Sequence, residues 1–322
     1  MRKLFLVASF LIAPLASAQD LHTFSNGEVA DAEKINENFQ TLLDRISALE
    51  DVPEVPSVLE NLAQMLPVRA LHLDASRIDG TPNQFNSNLA LGDSVTRWAD
   101  LSGNANLIVD SSNKAPTWYG TGVYFDGEND YLWDQTGLTL KDVTLVAVAR
   151  PSVVETSGNY SEGGVVSVSG NNSPNDTFDA IRFGPQSYYH GTERNSRNYR
   201  SDQIETTSEI TLIYDDVRSG ANRLYKNGVS VAEGSFVIPE KPNARFIVGN
   251  AYLAPPADPV KIAHWRGEIY EVMVIPGSVS DFDRAVVHHY LALKWGIAGY
   301  VDSDGDGATD IADADPLNPG IQ

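Results

Sequence analysis

Between residues 121 and 275 the chain is a succession of short β-prone runs separated by turn residues, with no helical crossover between them. This constrains the fold most. Strands joined by turns alone pair antiparallel, and sheets built that way bury themselves by packing face to face. Val143-Thr144-Leu145-Val146-Ala147-Val148-Ala149 is a continuous β-prone run, which predicts a strand covered on both faces. Arg223-Leu224-Tyr225-Lys226-Asn227-Gly228-Val229-Ser230-Val231 sets Asn-Gly between two alternating runs. Both turn residues tolerate positive φ, so a type I′ hairpin is expected. Further strands are expected at 121–125, 164–168, 209–214, 245–249 and 268–275.

The ends of the chain read differently. Arg2 and Lys3 precede an apolar run, Leu4 to Ala13, followed by Pro14 and Ala16-Ser17-Ala18. That order is a secretory signal, 1–18, with cleavage expected before Gln19. The run is too short to span a bilayer of about 30 Å, and no other stretch is long and apolar enough, so the mature chain is expected to have no transmembrane segment. Residues 19–68 read as a polar helical stalk. Ile35, Phe39, Leu42, Ile46 and Leu49 recur at spacings of four and three, an a/d-type seam. Over so few heptads it fits either a homo-oligomer through residues 31–50 or a helix folded back on the sandwich. Thr23-Phe24-Ser25-Asn26-Gly27-Glu28 resembles a leader ahead of bacterial exported domains, which implies attachment or oligomerisation. A second amphipathic helix is expected at 281–295, with Ser280 and Asp283 as a capping box. Its apolar stripe would be Phe282, Val286, Tyr290 and Leu293.

Charge and composition exclude several functions. Lys and Arg number 23 against 43 Asp and Glu, a formal charge of −20. Such a field repels phosphate backbones, so no nucleic acid is expected as partner. With no cysteine, disulfides, thiolate metal sites and a Cys nucleophile are all excluded. The 42% hydrophobic content suffices for a core.

The C-terminal segment, 299–322, carries the sharpest chemistry. Asp302-x-Asp304-x-Asp306-Gly307-Ala308-x-Asp310-x-x-Asp313 spaces hard oxygen ligands around a glycine turn. Calcium takes carboxylates at alternate loop positions, a carbonyl at position seven and an acid at position twelve. The expected set is therefore Asp302, Asp304, Asp306, the Ala308 carbonyl, Asp310 and Asp313, with Ca²⁺ as the cofactor. With Asp315-Pro316 following, the string resembles a thrombospondin type 3 calcium repeat, present once.

Six stretches, in order, resemble the laminin-G/concanavalin A-like jelly rolls. They are Leu71-His72-Leu73-Asp74, Trp98-Ala99-Asp100-Leu101-Ser102-Gly103-Asn104, Gly122-Val123-Tyr124-Phe125-Asp126-Gly127, Leu224 to Val229, Phe246 to Gly249 with Trp265 to Val272, and Tyr290 to Ile297. The resemblance covers 69–298. It implies a mainly β, two-sheet antiparallel jelly-roll sandwich with an N-terminal helical segment and one C-terminal helix. It also implies binding of extracellular glycans or proteins, often with calcium, while some relatives cleave glycans.

No catalytic string is found. Glu268 and Glu271 stand three apart, so on a regular strand they face opposite ways, one buried and one solvated. His288 and His289 lie about 100° apart on a helix and cannot share a metal, which reads as surface and boundary decoration. Asp126 and Asp130 read as turn formers. Arg182, Tyr188, Tyr189, Arg194, Arg197 and Tyr199 form the basic, aromatic cluster of an acidic chain, a combination suited to sugar faces. The sequence thus predicts a secreted, calcium-dependent, non-enzymatic module for an extracellular glycan or protein. A structural component of a cell-surface assembly, or a carbohydrate-active enzyme, are the alternatives.

Overall fold

The computed structural model describes residues 34–36, 38–41, 55–79, 88–109, 115–152, 163–170, 178–184, 187–192, 196–201, 209–218, 220–235, 240–250, 264–277 and 279–322; side-chain surroundings at 55–57, 135, 178–179 and 182–201 are outside it. The signal at 1–18 therefore lies outside the described residues. Two compact units are defined, Met1–Val58 and Leu59–Gln322. In the first, residues 34–36 and 38–41 are helical and Phe39 is exposed; the remaining seam residues Leu42, Ile46 and Leu49 lie outside the described residues. Helix α1 spans Val55–Met65 and buries Leu62.

In chain order the strands are β1 (Leu71–Asp74), β2 (Arg97–Ala99), β3 (Asn106–Ile108), β4 (Thr117–Trp118), β5 (Val123–Asp126), β6 (Leu132–Gln135), β7 (Val143–Pro151) and β8 (Gly163–Ser169). Then come β9 (Phe178–Gly184), β10 (Ser187–Thr192), β11 (Ser196–Ser201), β12 (Thr211–Val217), β13 (Asn222–Lys226), β14 (Val229–Gly234), β15 (Arg245–Val248) and β16 (Arg266–Pro276). Helix α2 is Asp281–Lys294. Among the described residues they form two antiparallel sheets. One runs β14-β13-β12-β7-β16-β5-β4, with β1 also on β16; the other runs β11-β10-β9-β8-β15-β6-β3-β2. The mainly β, two-sheet sandwich with one C-terminal helix is what the turn-punctuated sequence predicts. No helix among the described residues is long and apolar enough to cross a membrane, which leaves strand-built crossings unaddressed.

The core lies between the sheets. Val123, Phe125, Leu145, Ala147, Ala149, Ile269, Val272 and Val274 from the first meet Leu132, Val166, Val168, Phe246 and Val248 from the second. β7 is buried nearly throughout, as its unbroken apolar run requires. At the Asn-Gly turn Asn227 has φ 49° and Gly228 φ 87°, the signs a type I′ hairpin needs.

Helix α2 covers the outer face of the first sheet. Ser280 caps it by accepting from the Asp283 N–H. The stripe differs from expectation at both ends. Phe282 is 52% exposed, whereas Arg284, Ala285, Val287, His288, Leu291 and Ala292 are buried with Val286 and Tyr290. His288 is fully buried because the ring of Tyr214 meets it edge-on at 4.8 Å, with Tyr225 at 6.0 Å. His288 is thus not surface decoration, since the helix turns it into the layer between helix and sheet, whereas His289 sits half-buried at the boundary, beside Asp310.

A buried charged network fastens this layer. Glu271 Oε1 lies 2.7 Å from His72 Nε2, and Glu271 Oε2 accepts from Trp295 Nε1 at 2.7 Å. Lys294 Nζ pairs at 2.7 Å with both Glu271 and Asp74. Burial pushes the Glu271 carboxyl up, but the Lys294 charge and the His72 contact outweigh it and hold it down at about 2. Close by, Asp100 accepts from the backbone N–H groups of His72, Ser102, Asn104 and Ala105, closing the loop ahead of β3.

Removing one member of a buried pair costs about 3–5 kcal/mol, since the other charge is stranded. Lys294→Met is expected to lower unfolding free energy in urea by that amount. Because the folded Glu271 carboxyl titrates below its ordinary 4.5, its stabilisation is complete above that pH and is lost as pH falls toward 2. Thermal melts from pH 6 to 2 should therefore fall less steeply in Glu271→Gln than in the natural protein.

Candidate functional site

The Asp-rich segment packs into the second unit instead of trailing from it. Val301 is fully buried, and the Asp302 N–H donates to the Asn227 carbonyl at 3.1 Å. Gly228 is the seat: a Cβ there would lie 1.7 Å from the Asp302 carbonyl oxygen. Arg284 reaches from α2 with Nη1 to the Ser303 carbonyl at 3.2 Å and Nη2 to the Asp304 carbonyl at 3.4 Å. Its guanidinium also lies over Tyr225, 4.8 Å from the ring centre. The cation therefore holds the loop by its backbone, and the carboxylates are left to one another.

Three of them converge. One carboxylate oxygen each from Asp302, Asp304 and Asp306 lies within 4.8 Å of the others, the only such group among the described residues. Asp302 accepts from the Gly305 N–H at 2.7 Å and the Gly307 N–H at 3.0 Å. Asp304 Oδ1 accepts from the Asp306 N–H, and Asp306 Oδ1 from the Ala308 N–H. Gly305 and Gly307 take φ of 89° and 100°, which bend the loop around the carboxylates. The remaining oxygens, Asp304 Oδ2 and Asp306 Oδ2, are buried and have no hydrogen-bond partner. A buried, unpartnered anionic oxygen is costly unless a cation satisfies it. Burial, then the charges of Asp306, Asp313 and Asp302, raise the Asp304 carboxyl above its ordinary range. Two orphaned oxygens beside a third carboxylate fit a hard divalent ion.

The other expected ligands are placed differently. Asp310 is turned to the helix: it accepts from the Ser303 N–H at 2.9 Å and the Ser303 hydroxyl at 2.7 Å, and meets His289 Nδ1 at 2.9 Å. Asp313 is close enough for its charge to act on Asp304, and its Oδ1 accepts from the Asp315 N–H at 2.8 Å. The sequence missed the supports, Gly228, Arg284 and His289. Asn227-Gly228 explains itself as a turn, so nothing local signals its second role as a seat some seventy residues from the loop.

The carboxylate pair of β16 also differs from expectation. A β-bulge at Tyr270 shifts the register, so Ile269 faces Ala149 while Glu271 faces Val148. The extra residue brings Glu268 and Glu271 to the same outer face, and both are buried. Each is occupied: Glu268 pairs with Arg150 and accepts from the Tyr270 hydroxyl at 3.0 Å, and Glu271 sits in the network above. Asp126 and Asp130 do form a turn, with the Asp126 N–H donating to Asp130 at 2.9 Å.

The basic, aromatic cluster falls on the three strands at one edge of the second sheet. Tyr189 stands across from Arg182 and Arg200, Tyr199 across from His190, Arg197 across from Gly191, and Tyr188 across from Phe183 and Ser201. Arg194 lies outside the described residues.

No protein-family model matches the sequence, and no curated protein does. Solved structures similar to the chain include domain 4 of the extracellular arabinanase AbnA from Geobacillus stearothermophilus, in complex with arabinotriose, at 16% identity over 66% of this chain and 94% of that one, TM-score 0.39. Trypanosoma rangeli sialidase is 11% identical over 70% of this chain, TM-score 0.48, and the chain spans 33% of its length. The CBM40 of a Ruminococcus gnavus sialidase is 14% identical over 44% of this chain and 79% of that one, TM-score 0.34. At these identities and scores the likeness carries no inference about ligand or activity.

Gly228→Ala is expected to lose about 2–3 kcal/mol, because a methyl group is driven into the Asp302 carbonyl as well as into positive φ. Gly277→Ala, also at positive φ but facing open space, should lose only about 1 kcal/mol. Parallel urea unfolding curves separate the steric from the conformational cost.

Proposed function

We propose that this chain is an exported, calcium-binding sandwich of the laminin-G/concanavalin A-like kind that binds an extracellular glycan without cleaving it. The observation carrying the calcium reading is the pair of buried, unpartnered oxygens on Asp304 and Asp306 beside Asp302. On this reading Asp302, Asp304 and Asp306 hold the ion with the Ala308 carbonyl and Asp313, as in a thrombospondin type 3 repeat. Asp310, held by His289 and Ser303, fixes the loop. The ion's work is structural: it locks a loop that already rests on the β13–β14 turn and on α2. Glycan binding draws support from the edge strands β9 to β11, which set Tyr189 across from two arginines. Engagement of both Glu268 and Glu271 in ion pairs favours binding without turnover, since a general acid must be free to give up a proton. Self-association through residues 31–50, where Phe39 is exposed, completes the proposal.

Calorimetry on the mature chain should show at least one calcium site with Kd of roughly 10⁻⁴–10⁻³ M. An ion bound only by the folded state adds about 2 kcal/mol at thirtyfold excess over Kd, so calcium should raise Tm and a chelator should reverse it. Asp304→Asn and Asp306→Ala are expected to abolish both effects. A natural chain without calcium heat, or variants binding normally, would overturn the assignment.

A further inference from the structure

The outer face of the first sheet holds a second aromatic surface, beyond the part covered by α2. The β4–β5 hairpin closes tightly, with the Tyr119 N–H donating to the Gly122 carbonyl at 3.0 Å. Tyr119 stacks on Tyr124, ring centres 4.8 Å apart and planes 22° apart. One face of the Tyr119 ring is thus covered, yet the residue is 50% exposed, so its opposite face meets solvent. Tyr124 stands in register with Glu268 of β16, and Glu268 with Arg150 of β7. Three neighbouring strands therefore present Tyr124, Glu268 and Arg150 in one row spanning about 10 Å. Glu268 is buried, bonded by Arg150 and the Tyr270 hydroxyl, while the Arg150 side chain is 43% exposed.

A half-exposed ring immobilised by stacking is a preorganised apolar platform, at little further cost in side-chain entropy. The electron-rich face of tyrosine attracts polarised C–H groups. Beside it stands an arginine whose charge is already met by a carboxylate but whose fork has further N–H donors for hydroxyls. In a chain of net charge −20 this neutralised island suits an uncharged ligand with one C–H-rich face and hydroxyls at its rim. We infer that Tyr119, Tyr124, Arg150 and Glu268 form a binding platform for a neutral glycan. A pyranose ring stacks on Tyr119, and its neighbour's hydroxyls reach Arg150. The inference rests on the glycan-binding reading and gives it a second surface, on the opposite sheet from β9–β11.

Affinity electrophoresis of the mature chain tests it, in gels carrying mixed-linkage β-glucan, arabinoxylan, galactomannan or, as the anionic arm, alginate. At least one neutral polysaccharide should retard the protein. Tyr119→Ala should weaken retardation tenfold or more, whereas Tyr119→Phe, which keeps the ring, should retain it. Tyr119 is half exposed, so both variants should melt as the natural protein does. Retardation by alginate alone, or unchanged retardation of Tyr119→Ala, overturns the platform. If retardation survives Tyr119→Ala but is lost in Tyr189→Ala, the platform falls and the glycan reading stands. If no polysaccharide retards the natural chain, both fall, and calcium binding is judged by calorimetry alone.

Discussion

The buried carboxylate of Glu271 is the point on which the architecture turns. It receives His72 from the first strand, Lys294 from the last helix and Trp295 from the residue that caps it. The first described strand, the last strand and the closing helix therefore meet at one charged group with no exposed side-chain surface. Ion pairs at such depth seldom contribute much net stability, because desolvation offsets the attraction. They do contribute selectivity: a helix shifted by one turn would take Lys294 away from Glu271 and Asp74, two buried carboxylates that it pairs with. Helix α2 is thus held in register by electrostatics as well as by its apolar contacts.

That placement depends on an irregularity. Without the bulge at Tyr270, Glu271 would fall among Ile269 and Val272 in the apolar interior between the sheets. The inserted residue flips the alternation once, sends Glu268 and Glu271 to the same face, and returns Val272 and Val274 to the core. One extra residue thereby sets up both the network that fastens α2 and the Arg150–Glu268 pair beside Tyr124.

Much of this was legible in the residues. The apolar run of β7, the Asn-Gly turn, the cap at Ser280 and the alternating aspartates act through near neighbours, and local pattern is sufficient to place them. Bulges are different, because strict period-two counting across Glu268 and Glu271 gives the wrong answer whenever one residue is inserted. A stripe of apolar residues places Phe282 inward because it ignores how Tyr214 and Tyr225 admit His288 instead. Arg284 and Gly228 carried no local mark, since each is defined by a loop that follows them in sequence. The turn within Trp98 to Asn104 has a cause that no local pattern shows. The cause is Asp100, which gathers four backbone N–H groups.

The pairing of β1 with β16 has a consequence for how the chain is made. His72 and Glu271 are separated by 199 residues, and nearly all the intervening strands lie between their syntheses. A strand whose one ladder partner among the described residues emerges so late stays unpaired during synthesis, and an unpaired strand invites foreign pairing. Closing so long a loop is also entropically slow, as in other folds dominated by distant contacts. His72 and Asp74 put polar side chains on one face of β1, a composition that disfavours edge-to-edge pairing of a strand left without its partner.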